Sequence, residues 1–203
     1  MIDSKKKYLY YLYCDKIALG KAEKKRPRII HDEIWKFERL LRKVEYYKNC
    51  RNDIIGKIYG AFLQLKYYRL RLKRNTYIPL NTFGPGLSIA HFGAIVVNGN
   101  ARIGNNCRIQ DSVTIGATNG SSKAPILGNN VFIGSGARII GNISIADDVA
   151  VGANATVVKN VFEKGITVGG VPSKKISDNN SHDNLCKDLE KFDLLLFEKN
   201  ALS

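Results

Sequence analysis

The residue best suited to acid–base chemistry in this 203-residue chain is His91. Histidine exchanges protons near neutral pH, so it can take the proton from a hydroxyl group, which is otherwise a poor nucleophile. His91 stands where the surrounding pattern favours an aliphatic residue, and its side chain is therefore predicted to point inward. A hydrogen-bonded histidine of the core is the alternative interpretation. The other histidines, His31 and His182, lie outside the patterned region.

The spacing of possible metal ligands does not indicate a metal site. Zinc needs three or four ligands, and no second or third histidine accompanies His91 at ligand spacing. The cysteines show neither metal nor disulfide spacing, and we expect them to be thiols of a cytosolic protein, with Cys107 in the core. The four are Cys14, Cys50, Cys107 and Cys186.

The sequence around His91 repeats every six residues. An α-helix cannot keep this period on one face, because six residues turn it by ~600°. A short strand and a tight turn, repeated, fit the period, and they predict a hexapeptide β-helix. The first position of each hexapeptide is aliphatic, at Val97, Ile103, Ile109, Ile115, Leu127, Ile133, Ile139, Ile145, Val151 and Val157.

Three regions follow from this pattern. Residues 76–176 form the β-helix, with about five coils if three hexapeptides close each turn. Residues 117–125 are too polar for a core and are predicted to protrude as a loop, a common place for a binding site. Residues 177–203 are predicted to be a polar linker and a helix that caps the last coil. Its apolar positions are Leu185, Leu189, Phe192 and Leu196.

The N-terminal region, residues 1–75, is predicted to be helical and carries most of the basic charge. It holds 21 Lys and Arg against 8 Asp and Glu, whereas the whole chain has a net charge of +14. We expect one helix ending near Gly20, a second from Ile30, and a third from Ile54 to about Arg74. The apolar face of the third helix is formed by Ile54, Ile58, Phe62 and Leu65.

The basic and aromatic end of the third helix, residues 66–74, admits three interpretations. It could contact anionic lipid headgroups, or it could be a solvated face that draws anionic ligands toward a site. Binding to nucleic acid is the third interpretation, but no nucleic-acid motif accompanies this segment, and we expect no such partner. No apolar run approaches the ~18 residues of a membrane span, and no signal peptide is evident. We therefore expect a cytoplasmic protein that contacts the inner face of the membrane.

Five segments in the right order resemble the serine acetyltransferase branch of the hexapeptide-repeat acyltransferases: residues 86–91, 95–97, 111–116, 133–137 and 170–173. The short helical region looks more like that of capsule and surface-polysaccharide O-acetyltransferases. The resemblance implies a left-handed parallel β-helix that assembles as a homotrimer or a dimer of trimers. It also implies acetyl-CoA bound between neighbouring subunits, no metal, and direct transfer to a hydroxyl with His91 as general base.

Three acceptor-side positions depart from the family pattern. Thr76 and Ala90 replace carboxylates, one that orients the histidine and one that helps grip the amino group of serine. In the loop, Lys123 and Ala124 replace an Arg-His pair before Pro125. Unpaired charges discriminate strongly against a ligand, so we expect a sugar hydroxyl of a surface polysaccharide or its precursor as the acceptor. L-serine is the alternative acceptor, and a catalytically silent binding module is the third hypothesis.

The resemblance also carries over binding residues. Asp111, on the next coil, and Asn81 are candidates to orient His91, against the alternative that both are ordinary turn residues. Ala90 and Lys123 mark the acceptor side. Backbone groups of the donor groove and two lysines for the phosphates of CoA are expected at Gly116, Ala117, Gly136, Ala137, Gly152, Lys174 and Lys175.

Overall fold

The computed structural model describes residues 1–187, and they form three helices followed by a three-sided parallel β-helix. The helices are α1 (Lys5–Ala18), α2 (Glu33–Cys50) and α3 (Ile54–Arg74). The strands are β1 (Thr76–Tyr77), β2 (Ser88–Ile89), β3 (Ile95–Val97), β4 (Arg102–Ile103), β5 (Arg108–Ile109), β6 (Thr114–Gly116), β7 (Ile126–Leu127), β8 (Phe132–Ile133), β9 (Arg138–Ile140), β10 (Ser144–Ile145), β11 (Ala150–Val151), β12 (Thr156–Val157), β13 (Thr167–Gly169) and β14 (Lys174–Ser177).

Successive strands fall in turn on three sheets, which are the faces of the prism. One sheet has the order β1-β3-β6-β9-β12, the second β10-β7-β4, and the third β14-β13-β11-β8-β5-β2. All pairs are parallel except β13 with β14, which closes the last coil in the antiparallel sense. The first sheet has one strand per coil, so its five strands correspond to the five coils that the period of six predicts.

The inward positions of the hexapeptides fill the prism with aliphatic side chains. Ile109, Ile133 and Val151, for example, follow one another on the third sheet and are fully buried. Burying a side chain of this size stabilises a fold by about 1.5–3 kcal/mol. Cys107 belongs to the same core, as predicted, and burial raises the pKa of its thiol.

One corner of the prism is built from polar residues with positive φ. Asn106, Asn130 and Asp148 adopt the left-handed conformation on successive coils. The amide of Asn106 donates to Asn130, and that of Asn130 donates to Asp148, at 2.9 and 2.8 Å. Asparagine and aspartate tolerate this conformation better than other side chains, which explains why they recur at the turns.

Buried charges join the helices to the open end of the first coil. Arg42 of α2 is fully buried and pairs with Asp15 of α1 at 2.7 Å and with Glu45 at 3.1 Å. Its guanidinium also donates to the carbonyls of Phe83 and Gly84. Burial alone would lower the pKa of Arg42, but the two carboxylates outweigh burial and raise it. Asp15 accepts from the amides of residues 86 and 87, so α1 and α2 satisfy backbone groups that a free coil end would expose.

The helices differ from the sequence prediction in two respects. Helix α2 begins at Glu33, and Ile30 lies outside it with 80% of its surface exposed. The reason is Asp32, whose left-handed conformation at the N-cap prevents the helix from extending toward Ile30. The predicted apolar face of α3 points to solvent: Ile54 and Phe62 are 78% and 60% exposed.

The end of the described chain turns back along the prism. After β14, Ser181 hydrogen-bonds to the backbone of two coils, at Asn130 and Asp148, and a short 3₁₀ turn follows at His182–Asn184. Most of the predicted capping helix lies outside the described residues; Leu185, which lies within them, is buried. No helix among residues 1–187 is long and apolar enough to cross a membrane.

Candidate functional site

His91 lies on the surface of the first coil, just after β2, and the prediction that it points inward is wrong. Strand pairing aligns Ile89 with Ile109, which are 20 residues apart, whereas Ile133 and Val151 are 18 apart. The first turn of the β-helix thus contains two extra residues, and they shift the inward position from 91 to Ile89. The extra length is taken up by the bend at residues 90–94, which presents His91 to solvent.

Three polar side chains stack at this corner on three consecutive coils. The pairing of β2 with β5, and of β5 with β8, places His91 above Asp111 and Asp111 above Ser135. The hydroxyl of Ser135 donates to Asp111 Oδ1 at 2.9 Å, and that of Ser112 donates to Oδ2 at 3.1 Å. These two hydrogen bonds lower the pKa of Asp111, and His91 contributes electrostatically in the same direction. Asp111 is therefore an ionised group held below His91.

Close packing of the backbone keeps the two side chains together. A Cβ at Gly93 would come within 2.8 Å of the Cβ of Asp111, so the bend after His91 can pass over Asp111 only as glycine. The hydroxyl of Thr76 is shared between the carbonyls of Arg74 and Gly93, and its hydrogen bond to Gly93 holds the same bend in place. Thr76 stands where the resemblance places an orienting carboxylate, and here it acts on the backbone.

Asn81, the second candidate to orient His91, is engaged elsewhere. Its side chain exchanges hydrogen bonds with Asn49 of α2, and its backbone amide donates to Glu45. Its φ of 63° marks it as a turn residue of the left-handed type. The structure therefore favours the turn interpretation for Asn81 and leaves Asp111 as the neighbour of His91.

The remaining acceptor-side candidates separate in the structure. Residues 118–123 are exposed, as predicted for a protruding loop, and Lys123 lies at its surface. Ala124, which follows it, is only 6% exposed and belongs to the core. Ala90 is half-buried and lines a cavity beside the first coil.

The candidate donor-groove residues lie at the ends of the strands of two sheets. Gly116 ends β6, and its carbonyl accepts from Gly141, while the backbone amides of Gly136 and Gly152 donate to carbonyls of neighbouring coils, those of residues 111 and 168. Ala137 does not fit its predicted role, because its side chain is fully buried and its amide already donates to Gly134. Ala117 follows β6 at the start of the protruding loop and is half-buried.

The two candidate lysines differ in their partners. Lys175 pairs with Glu163 and Asp178, so carboxylates already compensate its charge. Lys174 is exposed and makes no ion pair with any residue in 1–187. Both line an open cavity of about 300 Å³ at the end of the β-helix, together with Lys159.

A larger cavity, of about 470 Å³, lies between the helices and the first coil. Its walls include Trp35 at the start of α2, Arg74 at the end of α3, and Arg108 of β5. Ala90 and Phe92, the two neighbours of His91 in sequence, also line it. Among the residues that the structure describes, no group of three or more His, Cys, Asp or Glu side chains is arranged to hold a metal ion.

Sequence reasoning missed Trp35 and Arg108, and it placed Arg74 only within the basic end of the third helix. Arg108 precedes an inward isoleucine, as do Arg102 and Arg138, so its sequence context does not distinguish it. Only the packing of α2 and α3 against the third sheet brings these three residues together.

Comparison with known proteins identifies the repeat. Residues 124–159 match the family model for bacterial transferase hexapeptide (six repeats). The chain is 40% identical over 111 residues to a serine acetyltransferase of Buchnera aphidicola subsp. Schizaphis graminum, covering 53% of this chain and 42% of the relative. The similarity therefore spans less than half of that relative's length.

Solved structures of serine acetyltransferases share the fold. The enzyme of Brucella abortus strain S19 in complex with coenzyme A superposes with a TM-score of 0.65 at 23% identity, over 87% of this chain and 70% of that one. The enzyme of Neisseria gonorrhoeae in complex with serine gives a TM-score of 0.64 at 25% identity, over 86% and 71%. The hexapeptide repeat and these neighbours imply a left-handed sense for the parallel coils.

These comparisons correct the predicted acceptor. Curated relatives at 35–40% identity are serine acetyltransferases, and so are the neighbouring structures described above. The prediction that the chain acetylates a sugar in surface-polysaccharide biosynthesis is therefore wrong, and the resemblance to capsule enzymes is not supported. A glycan acceptor and contact with a membrane also find no support.

Proposed function

We propose that the chain is an acetyl-CoA-dependent O-acetyltransferase whose acceptor is the hydroxyl of L-serine. One observation supports transfer to a hydroxyl most directly: the exposed His91 lies above the ionised Asp111 on the neighbouring coil. The similarity to serine acetyltransferases supports L-serine as the acceptor. An exposed imidazole can reach a substrate hydroxyl, and a carboxylate fixed by two serine hydroxyls is suited to hold the ring in one orientation.

The chemistry follows from this pair. His91 takes the proton of the acceptor hydroxyl while the oxygen attacks the thioester carbonyl of acetyl-CoA. The C–S bond then breaks, the thiolate of CoA receives a proton, and the O-acetyl ester remains on the acceptor. Asp111 stabilises the positive charge that the imidazole carries between these steps, and it does not itself exchange a proton.

The donor side is proposed from the groove residues. Acetyl-CoA lies along Gly116, Ala117 and Gly152, where small residues let a pantetheine arm approach the backbone. Lys174 is the lysine available for the phosphates of CoA, because Lys175 is engaged by two carboxylates. The assembly is a homotrimer or a dimer of trimers, with each groove between two subunits.

The acceptor is tested by steady-state kinetics. Purified protein with acetyl-CoA and L-serine should release free CoA thiol in proportion to enzyme, and the product should be O-acetyl-L-serine by mass spectrometry. CoA release at the same rate with and without L-serine would contradict the proposal.

A further inference from the structure

Two side chains in the wall of the 470 Å³ cavity, those of Trp35 and Arg74, carry buried hydrogen-bond donors that lack acceptors. Trp35 is 1% exposed, and its Nε1 has no hydrogen-bond partner among residues 1–187. Nε of Arg74 is likewise buried without a partner in this part of the chain. A buried donor without an acceptor costs free energy, so a small rotation of either side chain toward an acceptor in the cavity would be favourable.

Arg108 is the cation of this cavity without an ionic partner. Its Nη1 donates to the hydroxyl of Ser88 at 2.9 Å, and among the described residues it forms no ion pair. The nearby carboxyl of Glu38 forms no ion pair with Arg108; burial raises the pKa of Glu38 well above its usual range, and the charge of Arg108 acts in the opposite direction. A half-buried guanidinium of this kind offers free N–H groups to a carboxylate.

The acidic residues at the cavity are already paired. Asp32 forms ion pairs with Lys21 at 3.1 Å and with Lys24 at 3.5 Å. It also accepts hydrogen bonds from the backbone amide and the side chain of Arg28. Glu33 pairs with Lys36 at 2.7 Å and with Arg74 at 3.0 Å. Because Asp32 is occupied in this way, its side chain does not cap α2, and the first amides of that helix keep their free donors.

We propose that this cavity is the carboxylate-binding part of the acceptor site, with Arg108 as the cation that receives the acid group. The inference rests on the proposed function and specifies how this chain holds its acceptor. Ala90 and Phe92, the sequence neighbours of His91, line the cavity, so its wall includes the bend that carries the general base. The acceptor is recognised by its acid group, and the amino group that Ala90 leaves without a partner is dispensable.

The single tryptophan of the chain is a built-in probe, because Trp35 lies in the cavity wall. The intact protein is titrated with L-serine, with L-glycerate, which replaces the amino group by a hydroxyl, and with L-serine methyl ester, which has no acid group. Trp35 fluorescence and calorimetry report binding. L-serine and L-glycerate should bind with similar affinity, and the methyl ester should bind about 10- to 100-fold more weakly.

The variant Arg108→Gln should lower the affinity for L-serine and for L-glycerate by the same factor, and Arg108→Lys should recover part of that loss. Arg102→Gln is the matched control, because Arg102 precedes an inward isoleucine in the same way but donates only to the carbonyls of residues 99 and 101. Arg102→Gln should leave affinity unchanged. All variants should keep their affinity for CoA and their circular-dichroism spectrum.

The proposal is overturned if the methyl ester binds as tightly as L-serine, if neither acid binds, or if Arg108→Gln binds like the parent protein. Its failure is distinguishable from failure of the proposed function. If the Arg108 variants transfer acetyl to L-serine as the parent protein does, only the assignment of the cavity is contradicted. Arg108-dependent binding of L-glycerate and L-serine without acetyl transfer would contradict only the enzymatic proposal.

Discussion

Replacing Arg42 with methionine should destabilise the protein far more than replacing a surface arginine. The change removes the cation that pairs with the buried carboxylates of Asp15 and Glu45 at the helix–coil junction, and it removes the donors of two backbone carbonyls in the first coil. Both carboxylate side chains are 2% exposed. Breaking a buried ion pair by removing one partner costs about 3–5 kcal/mol, because an uncompensated charge remains.

The magnitude can be compared with a pair of similar geometry at the surface. Arg51 binds Asp53 at 2.7 and 3.0 Å, as Arg42 binds Asp15 at 2.7 and 3.3 Å, but the side chains of the surface pair are 38% and 48% exposed. Exposed pairs contribute about 0–1 kcal/mol. Arg51→Met should therefore stay within about 1 kcal/mol of the parent protein.

Urea unfolding followed by the fluorescence of Trp35 measures both variants. For a chain of this length, a loss of about 3–5 kcal/mol in the free energy of unfolding corresponds to a fall in Tm of about 6–20 °C in a thermal unfolding experiment. Arg42→Lys, which keeps the charge and loses the planar donor geometry, should lie between the parent and Arg42→Met. If Arg42→Met loses less than about 1 kcal/mol, as Arg51→Met is expected to, buried charges do not join the helices to the first coil.

Two further predictions concern carboxyl groups. Asp111→Asn should lower kcat by about 10- to 100-fold with little change in the KM for acetyl-CoA, because it weakens the orientation of His91 and the stabilisation of its charged form. Asp147→Asn, which changes a carboxylate at another corner of the prism, is the control. A kcat within a factor of two of the parent value would remove Asp111 from the mechanism. Glu38→Gln should flatten the pH dependence of stability above about pH 4.3. The folded-state pKa of Glu38 is raised by burial, so the folded protein binds the proton more tightly and stability falls as pH rises past the unfolded pKa. Unfolding free energies measured from pH 5 to 8 should therefore decline more steeply for the parent than for the variant, and parallel curves would contradict a raised pKa of Glu38.

The period of six was sufficient to predict the coils, because strict repetition leaves few alternatives to a β-helix. It misplaced His91, because Phe92 and Ala94 in the bend are apolar and hide the two extra residues. The insertion is visible only in the pairing of Ile89 with Ile109. The partnership of His91 with Asp111 depends on that insertion, since a regular coil of 18 residues would have placed Ile109 below position 91.

The helical region was harder to predict from sequence. Glu38, Arg42 and Glu45 recur at spacings of four and three, beside an apolar stripe with the same spacing, and this was the available signal that they face the interior. Charged residues at such positions are normally solvated, and only the wedging of α2 between α1 and the first coil buries them. The cavity depends on the same packing, so Arg108 and Trp35 could not be brought together before the fold was known.

The most direct test of the account is the rate of acetyl transfer from acetyl-CoA to L-serine by His91→Ala. The control is His182→Ala, which removes an exposed histidine that pairs with Asp148 far along the β-helix. With a general base contributing about 10²–10⁴-fold, His91→Ala should lose that factor in kcat while it keeps its affinity for CoA, and His182→Ala should retain the parent rate. A His91→Ala protein that binds CoA and transfers acetyl at the parent rate would contradict the central claim that His91 is the general base.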